Sequence, residues 1–200
     1  MRSLGLLLFC FFSFSASAQK GGAEHYYYTH QQAMFLSVPM LWYGADKGFH
    51  GEVRYNYEDV QTLSLLAGHT FSGGRKGFHY ELTPMGGLLF GSTKAATAEL
   101  KIELEAGKFF FSAEPQYAVS FQDKAGDFFY SWAEAGVSPV DFFFTGLALQ
   151  HTKESGTRNE WEPGAFAGLQ LGNISIPLYV FNLLREKRYF VLGVTWQLKN

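Results

Sequence analysis

The chain has 200 residues, 47% apolar and 18% aromatic, with 16 basic residues against 18 acidic and a net charge of −2. This much apolar and aromatic content excludes a disordered chain, and the slight acidity gives no basic footprint for nucleic acid. One cysteine excludes a disulfide framework.

Residues 1–18 read as a Sec signal peptide. Arg2 supplies the positive start, "LGLLLFCFFSF" (4–14) the apolar stretch, and "SASAQ" places Ala16-x-Ala18 before Gln19, so cleavage is expected after Ala18. The run is too short for a membrane anchor. Cys10 lies within it behind Phe9, where a lipidated cysteine would need a small residue. Cleavage therefore leaves a chain without a thiol. No later run reaches 18 apolar residues, which excludes a transmembrane helix in the remainder.

Residues 19–30 form an N-terminal segment in which "EHYYYTH" (24–30) either begins a first strand or precedes it. His25 and His30 are five apart, on opposite faces of a strand, so joint metal ligation is not expected. Residues 31–200 read as one β domain. Its strand-like segments span about 32–43, 48–58, 61–72, 78–90, 95–106, 108–121, 127–138, 142–152, 160–171, 173–182 and 188–198. That makes eleven, and a closed single-chain barrel needs an even number, so ten to twelve are expected with twelve favoured. The stretch "QQAMFLSVPMLWY" (31–43) alternates poorly and is where the count is least certain.

Alternation defines two faces. In "AELKIELEAGKFFFSAEPQYAVSF" (98–121), Glu99, Lys101, Glu103 and Glu105 oppose Leu100, Ile102 and Leu104; beyond the turn, Phe109, Phe111, Tyr117 and Phe121 oppose Lys108, Glu114 and Gln116. "GEVRYNYE" (51–58) divides the same way. The segments are long enough to cross a bilayer, and the apolar face carries aromatics near the turns at Tyr43, Phe49, Phe71, Phe109, Phe121 and Trp161. Tight connections ("AGK", "SPVD", "LGN") alternate with longer polar ones ("GSTKAA", "QDKAGD", "KESGTRNE", "NLLREKR"). Together these place the apolar face outward in lipid and the charged face inward. Pro84, Pro115, Pro163 and Pro177 fall inside four segments, where each removes a ladder donor; bulges are expected to absorb them.

The last segment, "YFVLGVTWQLKN", puts Phe190, Leu192, Val194, Trp196 and Leu198 on one face. It resembles the C-terminal targeting strand of bacterial outer-membrane β-barrel proteins, although that pattern usually ends on the aromatic itself and here Trp196 is followed by "QLKN". The resemblance implies an all-β, antiparallel, up-and-down transmembrane barrel in the outer membrane. It also implies recognition of 188–198 by the barrel-assembly machinery.

No catalytic signature, phosphate loop or metal motif is present, and neither cofactor nor catalytic residue is expected. The inward assignment yields ten acids (Glu52, Glu58, Glu81, Glu99, Glu103, Glu105, Glu114, Glu134, Glu160, Glu162) and three bases (Arg54, Lys101, Lys108). A polar, acidic lumen forming a narrow channel for small solutes is the resulting expectation. Its candidate residues are Arg54, Glu103, Glu114, Gln116, Tyr130, Trp132, Glu134 and Gln150. Trp132 could stack on a planar solute or plug the lumen by packing. Two alternatives stay open: an envelope-lipid hydrolase using His151 near Glu154 and Ser155, and a soluble periplasmic lipocalin-like binder. Arg185, Lys187 and Arg188 suit contact with outer-membrane lipid, through lipopolysaccharide phosphates.

Overall fold

The computed structural model describes residues 20–29, 35–122, 126–157, 159–185 and 187–198. The expected signal peptide and His30 lie outside them. The strands are β1 (Lys20–Thr29), β2 (Phe35–Gly44), β3 (Phe49–Tyr55), β4 (Thr62–His69), β5 (Phe71–Arg75), β6 (Phe78–Gly91), β7 (Ala95–Ala106), β8 (Phe109–Ser120), β9 (Phe128–Val140), β10 (Phe143–Glu154), β11 (Glu160–Leu171), β12 (Ile174–Phe181) and β13 (Tyr189–Leu198). Each pairs antiparallel with its neighbours, β1 pairs with both β2 and β13, and β4 pairs with β6, so the sheet closes on itself.

Thirteen strands make a twelve-stranded barrel. β4 and β5 follow one another along β6 in a single register, from Thr62↔Gly91 through Gly68↔Met85 to Phe71↔Leu82 and Arg75↔Phe78. The break falls opposite Pro84, which has no N–H to offer. There the Thr70 and Thr83 hydroxyls bond at 2.9 Å, and the Thr70 N–H turns to the Gly48 carbonyl at 2.7 Å. Pro115 and Pro177 likewise lie where the β7–β8 and β12–β13 ladders skip pairs without changing register. Pro163 lies one residue beyond the end of the β11–β12 ladder. The expected bulges are therefore not what accommodates these four prolines. Missing pairs do so, because the partner carbonyl can be satisfied elsewhere while the rest of the strand stays aligned. A register shift does occur between β9 and β10, next to Pro139.

The apolar face points outward. Leu41, Val53, Leu65, Leu88, Val119, Leu147, Leu169, Leu178 and Leu192 are all exposed, while Glu52, Arg54, Ser64, Glu99 and Gln116 are buried inside. This is the reverse of a soluble lipocalin-like barrel and fits a closed sheet in lipid, where no edge is left unpaired. The six aromatics expected near the rims are exposed. Both described ends of the chain, Lys20 and Leu198, lie at the rim that carries the tight turns.

Candidate functional site: the barrel interior

One wall of the interior is ionic. Arg54, near the end of β3, is fully buried. Its guanidinium is bidentate to Glu99 of β7 (Nη1–Oε2 2.8 Å, Nη2–Oε1 2.7 Å) and also donates to Glu52 through Nε at 2.7 Å and through Nη2. Such fork geometry suits arginine rather than lysine. His50 Nε2 lies 2.7 Å from the other Glu52 oxygen. Lys101, two residues beyond Glu99 on the same face, reaches Glu114 of β8 at 3.2 Å, Glu52 at 3.8 Å and Glu103 at 4.0 Å.

The β3–β4 connection folds into this wall. Asn56 and Gln61 adopt φ of 61° and 59°, and the Gln61 N–H closes on Asn56 Oδ1 at 2.8 Å. The turn swings Tyr57 and Glu58 inward. Tyr57 lies 4.5 Å from the Arg54 guanidinium carbon, donates to Glu114 at 3.1 Å, and meets Tyr130 of β9 edge-on at 5.9 Å. Glu58 accepts from Ser64 and, at 3.2 Å, from Gln116 Nε2. The connection thereby bridges β3 and β4 to β8 and β9 across the lumen.

The opposite wall is aromatic. Trp132 of β9 packs against Tyr26 of β1 (6.0 Å between ring centres), Tyr179 (5.1 Å) and Phe181 (5.3 Å) of β12, and its Nε1 donates to Glu134 at 2.7 Å. Phe166, Tyr179, Phe181, Tyr189 and Val191 are buried with it. Glu162 accepts from Tyr189 (3.0 Å) and Asn182 (2.9 Å), and Glu24 from Tyr26 (2.9 Å).

All eight candidate residues lie on the inner face, but in different company. Arg54, Glu103, Glu114 and Gln116 belong to the ionic wall. Tyr130 touches the inward loop, and Trp132 and Glu134 join the aromatic wall. Gln150 is buried with Nε2 unpartnered among the described residues. A wholly polar lumen does not describe this interior, because half of its circumference is aromatic. Lys108 is not inward: at the β7–β8 turn it is exposed and donates to the Pro139 carbonyl at 2.5 Å. Glu105 and Glu160 are exposed near the rims. Glu24 is an inward acid that alternation missed, because "EHYYYT" presents tyrosines on both faces. Glu58 reaches the lumen through a turn, not a strand. His151 faces outward, stacked on Trp161 at 3.7 Å and beside Phe129 at 5.3 Å, and no hydrogen bond joins it to Ser155 or Glu154 among the described residues.

No known protein family matches the chain, and no curated protein matches its sequence. Solved structures do match its fold. The KdgM porin superposes with a TM-score of 0.62 at 13% identity, over 88% of this chain and 98% of that one. The KdgM porin in complex with disordered oligogalacturonate gives 0.60 at 11%, with the same coverage. The NanC porin gives 0.57 at 8%, over 89% and 100%. The chain has the fold of these porins, a closed antiparallel β-barrel. Near-complete coverage in both directions means that this barrel and those porins are alike in size as well as topology. At such low identity the likeness concerns the backbone, so what the barrel's interior does has to be read from its own side chains.

Proposed function

We propose that the protein is a narrow outer-membrane channel that prefers small cations or neutral solutes to anions. The observation that carries this is the charge of the inner wall. Glu24, Glu52, Glu58, Glu99, Glu103, Glu114, Glu134 and Glu162 share an interior with Arg54 and Lys101, both of which are already engaged by carboxylates. Rings of carboxylates favour cations in a pore. The likeness to the KdgM and NanC porins supports a channel. The oligogalacturonate of the KdgM complex is a polyanion, and an acidic wall whose inward arginine, Arg54, is already held by Glu52 and Glu99 opposes a ligand of that kind. The Tyr57 bridge supplies the constriction.

The reversal potential of refolded protein across a salt gradient in a planar bilayer tests this. Cation selectivity is expected, and it should fall when Glu103 and Glu114 are both replaced by Gln. Anion selectivity, or no conductance from the folded barrel, overturns it.

Export by the Sec route, recognition of 188–198 by the assembly machinery, and contact between 182–188 and lipopolysaccharide phosphates belong to the same proposal. What supports the last is that Leu184 is fully exposed and that Arg185, Lys187 and Arg188 follow it in the chain, with Arg185 Nη1 anchored on the Trp161 carbonyl at 3.0 Å. An epitope inserted after Leu184 should be labelled on intact cells. Labelling only after permeabilisation would invert the orientation.

A further inference from the structure

The lipid-facing surface carries polar chemistry where apolar residues are expected. His25 and Tyr27 of β1 and Ser37 of β2 lie on the outward face: Tyr27 pairs with Ser37 and His25 with Pro39, in the same row as the exposed Leu41 and Tyr43. Their neighbours on β13 are Leu192 and Val194. Within this apolar frame Ser37 Oγ lies 2.7 Å from His25 Nε2. The Tyr27 hydroxyl lies 3.2 Å from His25 Nδ1, and the two rings stack at 4.2 Å with 22° between their planes. Ionisable groups facing lipid are costly and mark sites of function.

The order hydroxyl, imidazole, orienting hydroxyl is that of an activated nucleophile. Its depth also fits. Ser37 is two residues inside the end of β2 at the long-loop rim, about 5 Å along the membrane normal for a tilted strand. That is the level at which fatty-acyl esters lie below their headgroups. From there the outward row of β2 runs through Leu41 to Tyr43, and an apolar depression of about 340 Å³ lies at that far, tight-turn end, lined by Leu41, Trp42, Tyr43, Phe49, Glu52 and Val53 among others. An acyl chain whose ester rests at Ser37 would lie along that row.

We propose that Ser37, His25 and Tyr27 form an esterase site open to the bilayer, which hydrolyses a fatty-acyl ester of an outer-leaflet lipid. Ser37 Oγ attacks the ester carbonyl carbon while its proton passes to His25 Nε2. The carbon–oxygen bond to the lipid alcohol then breaks, and the departing oxygen takes that proton. Water, deprotonated by the same nitrogen, attacks the acyl-Ser37 carbonyl carbon; the bond to Ser37 Oγ breaks, Oγ takes that proton back from Nε2, and the fatty acid is released, with one water consumed in all. The His25 Nδ1–H donates to the Tyr27 oxygen throughout, which holds Nε2 free to act as base.

This proposal is independent of whether the lumen conducts. The full chain is refolded separately into phosphatidylethanolamine–phosphatidylglycerol vesicles and into vesicles containing lipopolysaccharide, with folding checked by the heat-dependent shift on gel electrophoresis. Fatty-acid release is expected from one lipid or the other, and which one identifies the ester. Folded Ser37→Ala and His25→Ala should lose about 100-fold or more, and Tyr27→Phe less. Bilayer conductance should not change. Should Ser37→Ala fail to fold, wild-type release should be blocked by a fluorophosphonate that mass spectrometry finds on Ser37. No release from either lipid by the folded wild type, release by Ser37→Ala at the wild-type rate, or release that the fluorophosphonate neither blocks nor marks at Ser37 would overturn the site.

Discussion

Arg54 shows how one side chain organises an interior. It draws carboxylates from β3 and β7 onto a single guanidinium and lies beneath Tyr57, so four hydrogen bonds to Glu52 and Glu99 and an aromatic face hold it away from bulk solvent. A methionine there would fill the space and leave two buried carboxylates facing each other. Removal of one member of a buried ion pair costs about 3–5 kcal/mol. Arg54→Met should therefore lower the urea midpoint of the folded barrel by a corresponding amount, and adding Glu99→Gln should restore part of the loss. An unchanged midpoint would mean that water already screens this wall. The alternation in "GEVRYNYE" placed Arg54 inward beside Glu52, but its bidentate partner Glu99 comes from 45 residues away, and nothing in the local stretch names it.

The strand is the level at which alternation acts. Leu147 lies near the middle of β10 and is 68% exposed. An arginine at a mid-bilayer lipid-facing site of a barrel costs about 2–4 kcal/mol. Leu147→Arg should therefore destabilise the protein in phospholipid bilayers by about that much, as read by chemical unfolding. A much smaller loss would place Leu147 near a headgroup region. The singly scattered glycines also belong to this scale. A side chain at Gly168 would collide with the Phe144 ring, and one at Gly136 with the Phe110 ring, so aromatic rings of adjacent strands lie flat over bare backbone on the inner face. Their absence from clusters was evident in the chain. Their pairing with particular rings depends on cross-strand register.

Closure decides the properties of the whole molecule. The barrel encloses an ionic half and an aromatic half, and the inward turn at 56–61 joins strands that are not neighbours. Tyr57 links that turn to Arg54, Glu114 and Tyr130 at once. Tyr57→Ala deletes the hydroxyl bonded to Glu114 and the ring between Arg54 and Tyr130. It should raise single-channel conductance while leaving the preference for cations in place. Unchanged conductance would put the constriction at the aromatic wall, around Trp132.

Periodicity two, strand lengths suited to a bilayer and alternating loop lengths were enough by themselves to point to a closed barrel of ten to twelve strands with its apolar face outward. Each follows from local chemistry: side chains alternate across a pleat, and lipid demands the apolar set. Aromatic-rich strands defeated the same logic. In "EHYYYT" and "ISIPLYVF" bulky apolar side chains point both ways, so the filled aromatic wall and the inward Glu24 emerged only once the strands were set side by side. The same holds for Tyr57, which alternation sets outward with Val53 and Tyr55 and a positive-φ turn carries inward, and for the contact between Ser37 and His25. Those two residues are twelve apart in the chain and meet because the β1–β2 register sets Tyr27 opposite Ser37. Register is a property of the closed sheet, fixed by the packing of all its strands together, and a single strand carries no record of it.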